Sequence, residues 1–143
     1  MVKKRILIVN GPNLNTLGTR QPEIYGSTRF EDWLEEARNR FSHVELVYFQ
    51  SNHEGALIDF LQAEGPKADG LVLNAGGLAH TSVVLAEAVA ALSIPTVEVH
   101  ISNVFARESF RHQSYLSPVC KGVITGFGLR GYEFAIQFFL LNE

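Results

Sequence analysis

The fold is decided by the stretch Arg5-Ile-Leu-Ile-Val-Asn-Gly-Pro-Asn-Leu-Asn-Thr-Leu-Gly-Thr-Arg-Gln-Pro-Glu-Ile-Tyr-Gly26. Its first five residues form a short apolar run, which predicts a strand buried on both faces. The next helical pattern begins only near Thr28. Long connections in compact α/β domains are usually functional lids or binding loops. The polar stretch from Asn10 to Gly26 is therefore interpreted as a functional loop, and the alternative is a disordered surface excursion.

Strand and helix patterns alternate along the rest of the chain. Thr28–Glu31 and Ser51–Glu54 both have the spacing of a capping box, which marks the start of a helix. The second of these helices is expected to stop at Gly65-Pro66. The other predicted strands cover residues 44–49, 70–74, 96–100 and 122–125, and a polar segment covers 102–121. A helix is predicted over 30–41, and another is capped by Thr81 or Ser82 with a buried stripe of Val84, Leu85, Ala88 and Leu92. The buried stripe of the last predicted helix is Tyr132, Ala135, Ile136, Phe139 and Leu140.

This alternation predicts a flavodoxin-like α/β fold of three layers. Its five-stranded parallel sheet would have the order 2-1-3-4-5, with helices on both faces. The length of 143 residues, with 46% hydrophobic and 19% charged side chains, suits a single catalytic domain over residues 1–143. Ligands in such sheets bind outside the carboxyl ends of the strands, where strand order reverses between strands one and three. Polar side chains collect at those predicted ends, namely Asn10, Asn13, Asn74, Glu98 and His100.

Composition excludes several classes of partner. The net charge is −3, so the chain lacks the basic field of a nucleic-acid-binding protein. Its one cysteine, Cys120, cannot form an internal disulfide and fits a reducing compartment. The apolar run Ile6–Val9 is too short for a signal peptide, and no stretch reaches the length of a membrane span. We expect a soluble cytoplasmic protein without a membrane partner.

Strand four carries the first candidate catalytic pair. Alternation along the strand places Glu98 and His100 on the same face. A neighbouring carboxylate orients an imidazole and favours its protonated form, so His100 could serve as a general acid. The alternative is a strand-end ion pair that only satisfies two polar groups.

Tyr25 and Arg20 form a second candidate pair on the long loop. A free tyrosine titrates near pH ~10, and a nearby guanidinium favours its phenolate, so Tyr25 with Arg20 could abstract a proton. The alternative is a tyrosine that only packs the loop onto the domain. Arg107 and Arg111 lie four residues apart in a short helical pattern and could hold a carboxylate, or else form a solvated basic face.

A base, an acid and arginines around one crevice suggest β-elimination on an anionic, oxygen-rich substrate. Hydroxyl groups of such a substrate could bond to polar side chains at Asn13, Asn74, His80 and Ser102. The histidines lack the spacing of paired zinc ligands, and we expect neither a metal nor a cofactor.

The glycines Gly126-x-Gly128-x-x-Gly131 match a dinucleotide-binding fingerprint but lack its context. The chain ends at Glu143, so no further strand and no ribose-binding acid follow. We interpret these glycines as a tight strand-to-helix turn. A phosphate at the helix N-terminus stays open as an alternative.

The motifs, taken in order, closely resemble those of type II 3-dehydroquinate dehydratases. Nearly the whole chain takes part, and the matching segments begin at residues 10, 20, 50, 74, 80, 97, 106 and 114. The resemblance implies dehydration of 3-dehydroquinate to 3-dehydroshikimate in the shikimate or quinate pathway, which leads to chorismate and the aromatic amino acids. It further implies anti elimination through an enolate, without metal or Schiff base, in a homododecamer built from trimers.

The resemblance also implies a role for individual residues. Tyr25 matches the base, Arg20 the residue that activates it, and His100, paired with Glu98, the acid. Asn13 matches the residue that holds a water near the enolate oxygen. The remaining matches are substrate contacts, through side chains at Asn74, His80 and Arg111 and through the backbone at Ile101 and Ser102.

Two positions depart from the family pattern. Glu87 replaces an aspartate that reaches the neighbouring subunit's site in relatives, and Ala79 replaces a threonine. We expect these changes to alter affinity before chemistry. Two other classes of function stay open: a flavodoxin-like module that binds a phosphate or nucleotide without catalysis, and an inactive homologue kept for assembly.

Overall fold

The computed structural model describes residues 3–19 and 21–141. Five parallel strands form one sheet, and they are β1 Lys4–Asn10, β2 Val44–Gln50, β3 Gly70–Asn74, β4 Thr96–His100 and β5 Gly122–Thr125. Five α-helices connect or follow them, and they are α1 Pro22–Tyr25, α2 Phe30–Arg40, α3 Glu54–Glu64, α4 Val83–Ala90 and α5 Arg130–Leu140. Short 3₁₀ turns lie at Leu14–Thr16, Gly65–Lys67, Gly76–His80, Val104–Ala106, Ser109–His112 and Ser117–Val119. None of the described helices is both long and apolar enough to cross a membrane.

The strand order is β2-β1-β3-β4-β5, which confirms the predicted flavodoxin-like topology. Chain order reverses between β1 and β3, and these two strands pair with Asn10 beside Asn74. β4 pairs with β3 on the other side, and His100 ends β4. Three neighbouring strands therefore deliver polar side chains to one end of the sheet.

Two apolar clusters cover the two faces of the sheet. Alternate residues of each central strand point to opposite faces, so Ile6 and Ile8 belong to one cluster and Leu7 and Val9 to the other. The first cluster is completed by α2 and α5, and the second by α3 and α4. In the first, Trp33 is 5% exposed and donates through Nε1 to Glu133 at 3.0 Å, which ties α2 to α5.

Both predicted capping boxes are wrong. The N-cap residues of α2 and α3 are Arg29 and His53, and neither side chain caps its helix. Each helix begins later than the motif requires, so Glu31 and Glu54 do not occupy the third helical position. Glu54 instead accepts a hydrogen bond from the Ser82 hydroxyl.

Ser82, one of the two predicted caps, is the N-cap residue of helix α4. The Ser82 hydroxyl accepts from the Leu85 amide at 3.0 Å. The predicted buried stripe is only partly right, because Val84 is 49% exposed while Ala86 and Val89 are buried. The helix packs beside α3 on the same face of the sheet, and this packing turns Ala86 inward instead of Val84.

The described parts of the long loop pack against the domain. Leu14 and Leu17 are both buried in the α2–α5 cluster, and Tyr25 packs against the same cluster. The start of the loop also lies against β3, because a Cβ on Gly11 would come within 2.5 Å of the Ala75 carbonyl oxygen. These contacts argue against a disordered excursion for the described loop residues.

The glycine-rich segment after β5 forms the predicted strand-to-helix turn. Gly126 and Gly128 have φ angles of +96° and +63°, which L-residues with side chains rarely adopt. A Cβ on Gly131 would lie 3.3 Å from Val99, so α5 approaches the sheet closely at this point.

Candidate active site

A cavity of about 120 Å³ lies at the carboxyl ends of β1, β3 and β4. The sequence-predicted residues that line it are Asn13, Tyr25, Asn74, His80, His100, Ile101, Ser102 and Arg111. Arg107 also lines it, together with Pro12, Leu14, Val104 and two glycines. The topological rule and the polar pattern therefore converge on one small enclosure.

Among the described residues, two predicted site residues, Glu98 and Glu87, are not part of this lining. Arg20 lies outside the described residues, so the predicted Arg20–Tyr25 pair is not described either. Glu87 is exposed on α4 and does not line the cavity.

A buried tyrosine fixes Asn74 at the end of β3. Tyr132 on α5 is fully buried, and its hydroxyl accepts from Asn74 Nδ2 at 2.8 Å and donates to Asn10 Oδ1 at 2.7 Å. Asn74 Oδ1 in turn accepts from the Gly76 amide at 3.1 Å. Burial raises the pKa of Tyr132 far above its usual range, so the hydroxyl stays protonated and can donate. Asn74 consequently presents a defined amide to the cavity.

Removing this hydroxyl should weaken the fold. We expect Tyr132→Phe to lower the free energy of unfolding by about 1–3 kcal/mol, because the buried amides of Asn74 and Asn10 lose a partner. Urea unfolding measures the change. Tyr115 is 52% exposed, so Tyr115→Phe is the matched control and should change the value by less than ~0.5 kcal/mol. If both variants lost the same free energy of unfolding, the hydrogen bonds of the buried Tyr132 hydroxyl would not contribute to stability.

Glu98 and His100 form the predicted pair on β4. Glu98 is fully buried, and its Oε2 lies 2.5 Å from Nε2 of His100. Ser117 donates to Oε1 at 2.6 Å, and Ser114 donates to Oε2 at 2.9 Å. Burial alone would raise the pKa of Glu98, but the hydrogen bonds from His100, Ser117 and Ser114 outweigh it, so this pKa is lowered. The ionised carboxylate therefore fixes the imidazole of His100.

His80 lies beside this pair. Its ring stacks on His100 with centroids 5.8 Å apart, and its Nδ1 lies 2.6 Å from the Gln113 carbonyl oxygen. Burial lowers the pKa of His80, and the charges of His100 and Arg111 lower it further. His80 is therefore neutral near pH 7 and donates from Nδ1, which leaves Nε2 as an acceptor.

Tyr25 also lines the cavity, from the end of α1 within the long loop. Its hydroxyl oxygen accepts from Nη1 of Arg107 at 2.8 Å, and the same nitrogen donates to Ser102 Oγ at 3.1 Å. The guanidinium also lies 5.4 Å from the centroid of the Tyr25 ring. A permanent positive charge at this oxygen stabilises negative charge on it.

The helical pattern assigned to Arg107 and Arg111 is wrong. Arg107 follows the turn Val104–Ala106 with extended backbone, and Arg111 lies in the separate turn Ser109–His112. Both side chains nevertheless line the cavity. Sequence reasoning named Arg107 as a residue that could hold a carboxylate, but it did not predict that Arg107 bonds to Tyr25.

A larger cleft of about 920 Å³ opens beside the cavity. It runs between α1, α2 and the start of α5, and it shares Tyr25, Ser102 and Arg107 with the smaller enclosure. The smaller cavity is the candidate site, because it alone of the two includes the His100 side chain.

Comparison with known proteins identifies similar chains. Residues 4–140 match the family described as dehydroquinase class II. A 3-dehydroquinate dehydratase of Dinoroseobacter shibae is 55% identical over 92% of this chain and 89% of its own length. A catabolic 3-dehydroquinase 1 of Neosartorya fischeri is 48% identical, with coverage of 97% and 94%. The crystal structure of a type II dehydroquinase from Butyrivibrio crossotus superposes with a TM-score of 0.92 at 44% identity, covering 97% of this chain and 99% of that one.

Proposed function

The chain belongs to the class II dehydroquinase family, and from this premise we propose that its small cavity converts 3-dehydroquinate to 3-dehydroshikimate and water. The relatives named above are 3-dehydroquinate dehydratases, so the chain is a carbon–oxygen lyase of the hydro-lyase type. The expected pathway is that of shikimate or quinate.

The chemistry assigned to the cavity is an anti elimination through an enolate. Tyr25 removes the proton at C2, and the Arg107 guanidinium stabilises the negative charge on the phenolic oxygen. Arg20 is assigned the same task from the sequence. His100 donates a proton to the departing hydroxyl, which leaves as water, while the double bond forms. The two protons balance, since one is taken from carbon and one is given to oxygen.

The remaining lining residues are assigned to binding. The backbone at Ile101 and Ser102 would receive the carboxylate, near the guanidinium of Arg107. Asn13 would hold a water near the enolate oxygen. The substrate hydroxyls would bond to Asn74, His80 and Arg111, all of which line the cavity.

One observation carries the assignment. Tyr25 bonded to Arg107 and His100 bonded to Glu98 line the same small cavity, so a candidate base and a candidate acid can meet one substrate. Acid–base elimination of this kind needs no bound cofactor.

A spectroscopic assay tests the function directly. We expect ultraviolet absorbance to rise when 3-dehydroquinate is added to chelator-treated protein, because the product is a conjugated enone. The matched control is the same protein after heat denaturation. A flat trace from a folded oligomer would contradict the proposal and favour a binding module or an inactive homologue.

We also propose that the protein forms a cytoplasmic homo-oligomer, which is the dodecamer built from trimers that the resemblance implies. Several large apolar side chains are more than 40% exposed within residues 105–127, and such a surface favours assembly. They are Phe105, Phe110, Tyr115, Val123 and Phe127. Glu87 is exposed, so it is free of the core and could reach a second copy's site.

A further inference from the structure

Two serines behind His100 complete the surroundings of Glu98. Ser117 and Ser114 each donate to a different carboxylate oxygen, at 2.6 Å and 2.9 Å. His100 Nε2 lies 2.5 Å from the oxygen that Ser114 also contacts. The described residues therefore surround this fully buried carboxylate with hydrogen-bond donors.

The backbone fixes the direction of the Ser114 hydroxyl. Its oxygen accepts from the amides of Leu116 at 3.0 Å and Ser117 at 3.2 Å. A hydroxyl has two acceptor positions and one proton, so the Ser114 proton must point at Glu98. Ser114 cannot exchange its donor role for an acceptor role without breaking the turn. The arrangement accordingly favours the ionised carboxylate over the protonated one.

We propose that Ser114 and Ser117 are positioning residues that hold Glu98 as an acceptor and thereby set the tautomer and acidity of His100. The inference rests on the proposed function and deepens it. Because Glu98 accepts, Nε2 of His100 must carry a hydrogen, and the proton for the leaving hydroxyl comes from Nδ1. Among the described residues none hydrogen-bonds to Nδ1. Without the serine donors the carboxylate would attract the shared proton more strongly, and the imidazolium would become a weaker acid.

Other titratable and charged groups face the pair from neighbouring segments. His80 stacks on His100. Burial, together with the charge of Glu98, raises the pKa of the Cys120 thiol. Tyr25, Arg107 and Arg111 line the small cavity with His100. Arg111 and His112 line a second, adjacent cavity that includes both Glu98 and His100. A serine substitution changes none of these groups, so a shift in the pH profile reports on the hydroxyl.

Ser117→Ala is the sharpest variant, because the Ser117 hydroxyl bonds to no described residue except Glu98. We expect kcat to fall about tenfold, because the variant loses one hydrogen bond to a charged group. The alkaline limb of kcat should move to higher pH by roughly one unit, because Glu98 and His100 then hold the shared proton more tightly. KM should change less than kcat.

Two controls separate positioning from general damage. Ser117→Thr retains a hydroxyl and should restore both kcat and the position of the limb, whereas Ser93→Ala on an exposed serine should change neither. If the alkaline limb of the pH dependence of kcat did not move in Ser117→Ala, the proposal would be overturned, whether or not kcat itself fell.

Nitrogen NMR of His100 tests the same idea in the intact protein without substrate. We expect the neutral ring to carry its hydrogen on Nε2, and Ser117→Ala to raise the pH at which the ring titrates. A neutral ring protonated on Nδ1 would overturn the proposal even if every variant failed to fold. This measurement needs no turnover, so it stays informative if the absorbance assay is flat and the proposed function fails.

Discussion

Tyr25→Phe is expected to lower kcat by about 10²–10⁴-fold, because general base catalysis contributes an effect of this size and phenylalanine cannot accept a proton. Substrate binding should change little. The ring that packs against the α2–α5 cluster is retained, and only the oxygen that accepts from Arg107 is lost. Ultraviolet absorbance gives kcat, and calorimetric titration with the product gives affinity.

Two further variants make this result specific. Tyr115→Phe removes the same oxygen from an exposed ring and should retain full activity. Arg107→Lys keeps the positive charge but loses the planar guanidinium that bonds to both Tyr25 and Ser102. It should lower kcat less than Tyr25→Phe does. If Tyr25→Phe retained kcat within tenfold of the unmodified enzyme, Tyr25 would not be the base.

His100→Ala is expected to lower kcat by about 10²–10⁴-fold, because the departing hydroxyl loses its proton donor. Alanine also leaves the buried Glu98 carboxylate without its imidazole partner, so part of the loss could come from the altered fold. Steady-state kinetics should be paired with a thermal unfolding curve for each variant.

His100→Gln separates these two effects. Glutamine can still donate a hydrogen bond to Glu98, but it cannot transfer a proton to substrate. If His100 is the acid, alanine and glutamine should lose kcat to a similar extent, while glutamine should be more stable. Activity near that of the unmodified enzyme in His100→Gln would show that the histidine is structural.

The topology could be predicted because its signals are local and repeat along the chain. Each strand is a short apolar run, and alternating strands and helices leave few parallel arrangements. The pairing of Glu98 with His100 was equally accessible, since residues two apart on a strand share a face. The prediction of the family and its hydro-lyase activity is likewise confirmed, because so many motifs match in order.

Other features of the site depend on long-range packing and have no local signal. Tyr132 meets Asn74 across 58 residues, and Arg107 meets Tyr25 across 82. The helical spacing assumed for Arg107 and Arg111 failed because two separate turns replace the single helix. The capping boxes failed because the motif alone does not say which residue precedes the first helical turn.

Trp33, which hydrogen-bonds α2 to α5, can also serve as an internal fluorophore. Trp33 is the chain's only tryptophan, so indole emission reports on one place in the molecule. Its nitrogen donates to Glu133, its ring lies 5.3 Å from that of Tyr132, and it borders the cleft that also includes Tyr25. The intensity and wavelength of its emission should therefore change when denaturation exposes the α2–α5 cluster. They should also change when a ligand enters the cleft and alters the polarity around the indole, so no added label is needed.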